Sequence, residues 1–404
     1  MSQALLINPT AMETGLFASA EARGRTPAFD AFAKTGLPHR RMEAWKWTDV
    51  RAAMRAALPD ADADANVIAP SSFSAIEAFE ITVMNGAAEW EAAPPEGVTI
   101  ELTAPGADLS PLSSGHPLAN LAAAFAEKTV AISVSGNVAR PIHLRRIAGA
   151  GACYSRVRIK LAAGASATLI ESFDGAGVYF ANSLAEVSIG SNARLTRDIL
   201  QDGSDDGVET ALFAVSLGQG ARFCQSALLL GGKLARMETR LALEGAGASV
   251  DLKSASILSG ARHADLTTHI AHESTGCATR QVHKSALRDQ ARGVFQGKFY
   301  VARGAQKTDA EMQAKALLLS DMAEANHKPE LEIYADDVQC AHGSTAGAID
   351  EEALFYMRQR GLDEHQARAL LIEAFLADVF DGAERLNIAE VLRQRMHAWL
   401  EKAA

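Results

Sequence analysis

Apolar positions along this chain keep three successive rhythms, and the changes between them mark its organisation. Over residues 1–75 the sequence is Ala-rich with Arg, Glu and Lys interspersed, which predicts helices broken at Gly36-Leu37-Pro38. Residues 60–72, rich in Ala, Asp and Pro, read as a linker. From about Ile76 the period shortens to two. Ile81-Thr82-Val83-Met84 runs into the turn dipeptide Asn85-Gly86, and residues 98–102 form another run. A short helix near residues 118–127 interrupts before alternation resumes at 129–135.

From Val157 the β pattern repeats. Gly164-Ala165-Ser166, Asn192-Ala193-Arg194, Gly220-Ala221-Arg222, Gly247-Ala248-Ser249, Gly276-Cys277-Ala278 and Gly304-Ala305-Gln306 recur every 27–29 residues. Gly or Asn leads each one, as a tight turn with positive φ requires. A second column, Ser226-Ala227-Leu228, Ser254-Ala255-Ser256 and Ser285-Ala286-Leu287, recurs at similar spacing. A fixed period built from short strands and small turn residues predicts a mainly β protein with helical ends, its core (residues 76–345) a β-solenoid. The competing arrangement is a β-sandwich with evenly spaced hairpins.

The third rhythm begins at Asp350, which can cap a helix stopped by Gly361. Asp363-x-x-Gln366 has the capping-box form, and Ala367, Leu370, Leu371, Ala374, Phe375 and Val379 follow at helical spacing up to Phe380. Asn387-x-x-Glu390 opens a third helix. These helices (residues 346–404) are placed to cap the open end of the solenoid, and must dock on the solenoid, on another protein, or on both.

Where the β pattern gives way to helix stands Cys340-x-His342. In a strand, residues i and i+2 share a side, with Cα atoms about 6–7 Å apart. Two side chains cannot complete a four-coordinate soft-metal site. Either the pair is packing, or its remaining ligands come from elsewhere. His263, His269, His272 and His283 lack compact metal spacing and read as surface or core-edge residues, while Cys153, Cys224 and Cys277 fit small apolar strand positions.

Composition narrows the functions. In 404 residues, 49 acidic against 39 basic side chains give a formal charge of −10, which disfavours nucleic acid as a partner. Four scattered cysteines with no CxxC fit a reducing compartment. The opening Met-Ser-Gln-Ala-Leu-Leu-Ile-Asn-Pro-Thr lacks a signal-peptide pattern, and no run of 18 apolar residues occurs, so the expectation is a soluble, cytoplasmic protein. Walker A, G-x-S-x-G and dinucleotide-binding patterns are missing. A β-solenoid enzyme acting on a polysaccharide would repeat carboxylates in one column, and residues 168–173, 195–200 and 223–228 share none.

The stretch Asp336-Asp-Val-Gln-Cys340-Ala-His342-Gly-Ser-Thr-Ala-Gly-Ala-Ile-Asp350-Glu-Glu-Ala-Leu-Phe-Tyr-Met-Arg-Gln-Arg-Gly361 resembles the C-terminal signature of the SufB/SufD family. Its His-Gly-Ser-Thr form is nearer the SufD branch than the His-Glu-Ala-Thr form of the SufB branch. Gly36-Leu-Pro-x-Arg-Arg-x-Glu43-x-Trp45-Lys46-Trp47-Thr48 is similar to the family's N-terminal motif, with Trp47 where Tyr is commoner. The resemblance implies a non-enzymatic scaffold for iron–sulfur cluster assembly: an N-terminal helical region, a right-handed parallel β-helix and C-terminal helices. It implies pairing with a SufB-like subunit, or with itself where none is present. It also implies an ATPase, SufC, docked on the C-terminal helices, with Leu370, Leu371, Phe375 and Phe380 as contact residues. Iron or a transient cluster then belongs at the subunit interface, at His342 and with Cys340 as a second ligand, and is not held stably by this chain alone. A SufB-like paralogue acting as main sulfur acceptor is the rival within the family, and the small cysteine count argues against it.

Overall fold

The computed structural model describes residues 8–62, 70–90, 92–106, 108–380 and 387–401. Part of the expected linker, residues 63–69, lies outside them. The core is a parallel β-solenoid. Its coils each give one strand to a ten-stranded sheet and one to a nine-stranded sheet, and successive strands along the chain alternate between the two. Hydrogen-bonded neighbours are therefore two strands apart in sequence, which rules out the hairpin sandwich. At the N-terminal end the ladder turns back on itself: Ala87–Glu89 folds antiparallel onto Phe79–Met84 through Asn85 (φ 48°) and Gly86 (φ 94°), and Val98–Thr103 lies antiparallel on Thr129–Val134.

The repeated turns stack as well. The N–H groups of Gly164, Asn192, Gly220 and Gly247 each donate to a carbonyl of the following coil at 2.7–3.0 Å. These four residues have φ between 57° and 71°, where Gly and Asn are tolerated best. The alanines that follow, Ala165, Ala193, Ala221 and Ala248, are buried, and Cys277 continues their line. At the sixth turn the expected position shifts. Ala278 pairs with Asp309, so the residue stacked over Gly276 is Lys307 (φ 61°), not Gly304. The serine column is likewise out of register: Ser226 pairs with Lys253, and Ser254 with His283.

Inside the solenoid, apolar side chains stack coil upon coil, but the lumen also holds charge. Glu171 is fully buried and paired with both Arg146 and Arg197, and Arg197 lies over the Phe213 ring at 3.6 Å. Burial alone would raise the Glu171 pKa; the two guanidiniums outweigh it and hold it below the usual range.

Helices α1 (Ala11–Arg23), α2 (Pro27–Ala33), α3 (Val50–Ala53) and α4 (Pro117–Phe125) pack on the outer face of the nine-stranded sheet through Phe29, Phe32 and Phe125 against Tyr154 and Phe180. A buried Glu13 ties them together, accepting from Leu37 N at 3.1 Å and from Arg51 Nε at 3.0 Å. The N-terminal motif is a plug. Trp45 is buried over the Arg236 guanidinium (3.9 Å), which is held by Asp265 at 2.6 Å and Glu238 at 2.8 Å. The Thr48 hydroxyl donates to the same Asp265.

Helices α5 (Glu351–Gln359), α6 (Glu364–Leu376) and α7 (Ile388–Glu401) carry the expected caps at Asp350 and at Asp363 with Gln366. They do not close the solenoid's end. Their apolar side lies along the flank of the ten-stranded sheet, where Leu376, Val379 and Phe380 meet Leu200, Leu228, Ala255 and Ala286. Lys284 pins the seam, donating to the Phe375 carbonyl and pairing with Asp378, each at 2.6 Å. The flank attracts them because its outward positions are apolar there; the terminal strand offers Ala341, Gly343, Thr345 and Gly347 instead. No helix among the described residues is long and apolar enough to cross a membrane.

Candidate functional site

Because the helices are drawn to the flank, the last coil is bare. Among the described residues, Glu324–Ile333 and Gln339–Gly347 each have a hydrogen-bonded neighbour on one side only. Strand register carries the inward-facing line Thr279, Ala310 to Cys340, and the adjacent line Gln281, Met312 to His342. Cys340 and His342 thus share the inward side of the terminal strand, as period-two spacing requires. Their surroundings differ. Cys340 is half-buried against Val301, Ala305 and Ala335, and this burial pushes its thiol pKa up. His342 is exposed.

Two further side chains stand at this mouth. His327, inward on the other terminal strand, hydrogen-bonds through Nδ1 to the Ser344 hydroxyl at 2.9 Å. Burial lowers its pKa. Below it His283 stacks on Phe295 (5.1 Å between centroids) and meets Ser254, and burial drops it to about 3. His327 escaped the sequence reading, although the alternation Ala325-x-His327-x-Pro329-x-Leu331 marks it as inward. His272 and His283, expected at the surface or core edge, are fully buried inside the solenoid. They occupy inward positions, where the hydroxyls of Thr279 and Ser254 each bond one ring nitrogen, His272 Nε2 and His283 Nδ1. His263 faces outward with Asp265 and reaches the Thr48 hydroxyl at 3.2 Å. Cys153 and Cys277 are buried, whereas Cys224 faces outward and is half-buried. Among the described residues no group of three or more His, Cys, Asp or Glu is arranged to hold a metal ion.

The four residues proposed from the sequence as partner contacts separate. Leu370 is 44% exposed; Leu371 and Phe375 are half-buried against the helix–solenoid seam; Phe380 is fully buried. Phe380 therefore holds the helices to the solenoid and its ring is closed to a partner. Ala374 is exposed, so the helix's packed face runs through Ala367, Ile372 and Leu376. Phe355 (64% exposed) and Tyr356 (59%) on α5 add large apolar surface to this helical region.

The fold defines a parallel β-solenoid protein with one open end and helices along its flank, and the comparison with known proteins gives its family. Residues 145–375, more than half of the chain, match the family described as SUF system FeS cluster assembly, SufBD core domain. The chain belongs to that family. It is 29% identical over 366 residues to the iron–sulfur cluster assembly protein SufD of Escherichia coli (strain K12), covering 86% of each chain. With a SufBD family protein of Synechocystis it shares 35% identity over 216 residues, 54% of this chain and 48% of that one. With SufD of Bacillus subtilis it shares 28% over 200 residues, 49% and 46% of the two.

Proposed function

We propose that this protein is a scaffold subunit that pairs through its last coil with a SufB-like subunit, binds a SufC-like ATPase on its C-terminal helices, and presents His342 to iron or a nascent cluster at the subunit interface. The observation that supports this most is the bare last coil carrying half a ligand set. An uncovered strand edge is a template for pairing, and Cys340 and His342 stand at its mouth. A neutral imidazole binds iron readily. Partial burial raises the Cys340 thiol pKa, and the thiol must lose its proton to ligate, so it joins only when a metal arrives. Other ligands come from the partner, which makes cluster assembly depend on the two subunits meeting. The cluster is cargo here, and ATP hydrolysis belongs to the ATPase. Phe355, Tyr356 and Leu370 are the exposed apolar side chains available for that docking.

The test replaces the chromosomal copy with His342→Ala. Iron–sulfur enzymes should lose activity while the complex still co-purifies and its ATPase still turns over; Cys340→Ala should be milder. Normal enzyme maturation with His342→Ala would sink the proposal, and an equally severe Cys340→Ala would make the two a joint ligand set.

A further inference from the structure

Away from the last coil, the outer face of the ten-stranded sheet carries a groove of about 940 Å³ that the assembly role does not use. It crosses the strands Ser166–Gly175, Arg194–Asp202, Arg222–Leu229 and Ser249–Leu258 and ends at Ile388 on α7. Its outward rows have distinct chemistry. Arg194 and Arg222 are register partners on adjacent strands, roughly 4.8 Å apart. Both are exposed, and neither has a carboxylate partner among the described residues. Two like charges set side by side repel unless an anion joins them. The next row is Thr168, Thr196 and Cys224, and the third holds Asp198 beside Ser226. Asp198 is 1% exposed, lines the groove, and its Oδ1 has no hydrogen-bond partner. A buried polar atom left unpaired is unfavourable, so a group that bonds Asp198 gains there.

We propose that this groove binds a small polyhydroxylated anion, its phosphate or carboxylate on the Arg194–Arg222 pair and a hydroxyl on Asp198. Paired guanidiniums suit an oxyanion, which accepts from both forks. Four residue steps of extended chain run from Arg194 to Asp198, roughly 13 Å between Cα atoms, of which an arginine side chain spans about half. The remainder fits a sugar phosphate or a hydroxylated tricarboxylate, and is too long for inorganic phosphate to bridge. The volume lies within the range of small-molecule sites. Among the described residues the lining has no aromatic side chain to stack a nucleobase. Asp251 and Lys253 on the far wall add one charge of each sign. Burial pushes the Asp198 carboxyl up to about 7, so near neutral pH it serves a ligand hydroxyl as acceptor or donor.

The experiment titrates the full-length protein calorimetrically with glucose 6-phosphate, glycerol 3-phosphate and citrate, with inorganic phosphate as control. At least one of the three should bind about tenfold tighter than inorganic phosphate, and Arg222→Ala should weaken it by about tenfold or more. Asp198→Asn should narrow the gap to inorganic phosphate. Circular dichroism confirms that each variant is folded, and Arg194→Ala substitutes for Arg222→Ala if the latter is not. The proposal is overturned if none of the three surpasses inorganic phosphate, or if the folded variants bind as the wild type does.

Discussion

Phe380 and Leu370 sit within one short helical stretch, yet their surroundings demand opposite outcomes on substitution. Phe380→Ala removes a fully buried ring from the seam between the C-terminal helices and the solenoid, and such changes cost about 3–5 kcal/mol. Whole domains are stable by only about 5–15 kcal/mol. The helices are anchored mainly through this seam, so the loss falls on their local opening, and the solenoid keeps its own stacking. Hydrogen exchange should accelerate over residues 351–380, and limited proteolysis should release a fragment ending near Gly347 with β-type circular dichroism. Capture of the ATPase should fail because its platform is displaced. Leu370→Ala, at a 44% exposed position, should change stability by no more than about 0.5 kcal/mol, leave exchange unaltered, and still weaken ATPase capture. A Phe380→Ala protein with wild-type exchange and protease resistance would refute the flank-docked packing. A Leu370→Ala protein that binds the ATPase normally would remove Leu370 from the contact.

Glu171→Ala strands two buried guanidiniums and should destabilise the solenoid by about 3–5 kcal/mol, read as a lower urea midpoint at unchanged slope; an unchanged midpoint would contradict the lumenal ion-pair network. Burial raises the Glu209 carboxyl from 4.5 to about 7, so between those values the folded state holds a proton that the unfolded state has lost. Stability should therefore fall as pH rises through that window, and Glu209→Gln should flatten the slope; a wild-type profile in the variant would exclude Glu209 as its source. Adding the SufB-like partner should slow amide exchange in 324–333 and 339–347, and equal exchange with and without it would rule out edge pairing.

Positions fixed by backbone need alone were readable from sequence. Gly164, Asn192, Gly220, Gly247 and Gly276 announce themselves because few residues take positive φ without strain, and their spacing defines the coil. The same rule misled at Gly304, since the last such turn uses Lys307, a residue nothing in the sequence singles out. The serine triplets carried no register information, because small side chains in a stacked sheet do not constrain which coil meets which. Capping residues Asp350 and Asp363 were legible from local hydrogen-bond chemistry, but where the helices dock was not. That depends on the apolar outward row Leu200, Leu228 and Ala255, whose facing is apparent only once the coils are stacked. The candidate site was half legible. That Cys340 and His342 share one side of a strand was readable from their spacing, whereas His327 belongs to the other sheet and meets the terminal strand, at Ser344, only through closure of the coil.

The stacked turns and sheets make the solenoid a one-dimensional zipper in which each interior coil is held by a neighbour above and one below. Among the described residues, the coil carrying Cys340 and His342 has a neighbour on one side only, so its opening is resisted by a single interface. A subunit docked there, as proposed, would supply the missing neighbour. The pair would then be held only as firmly as the zipper is closed, and association would sharpen the position of both side chains before a ligand reached them.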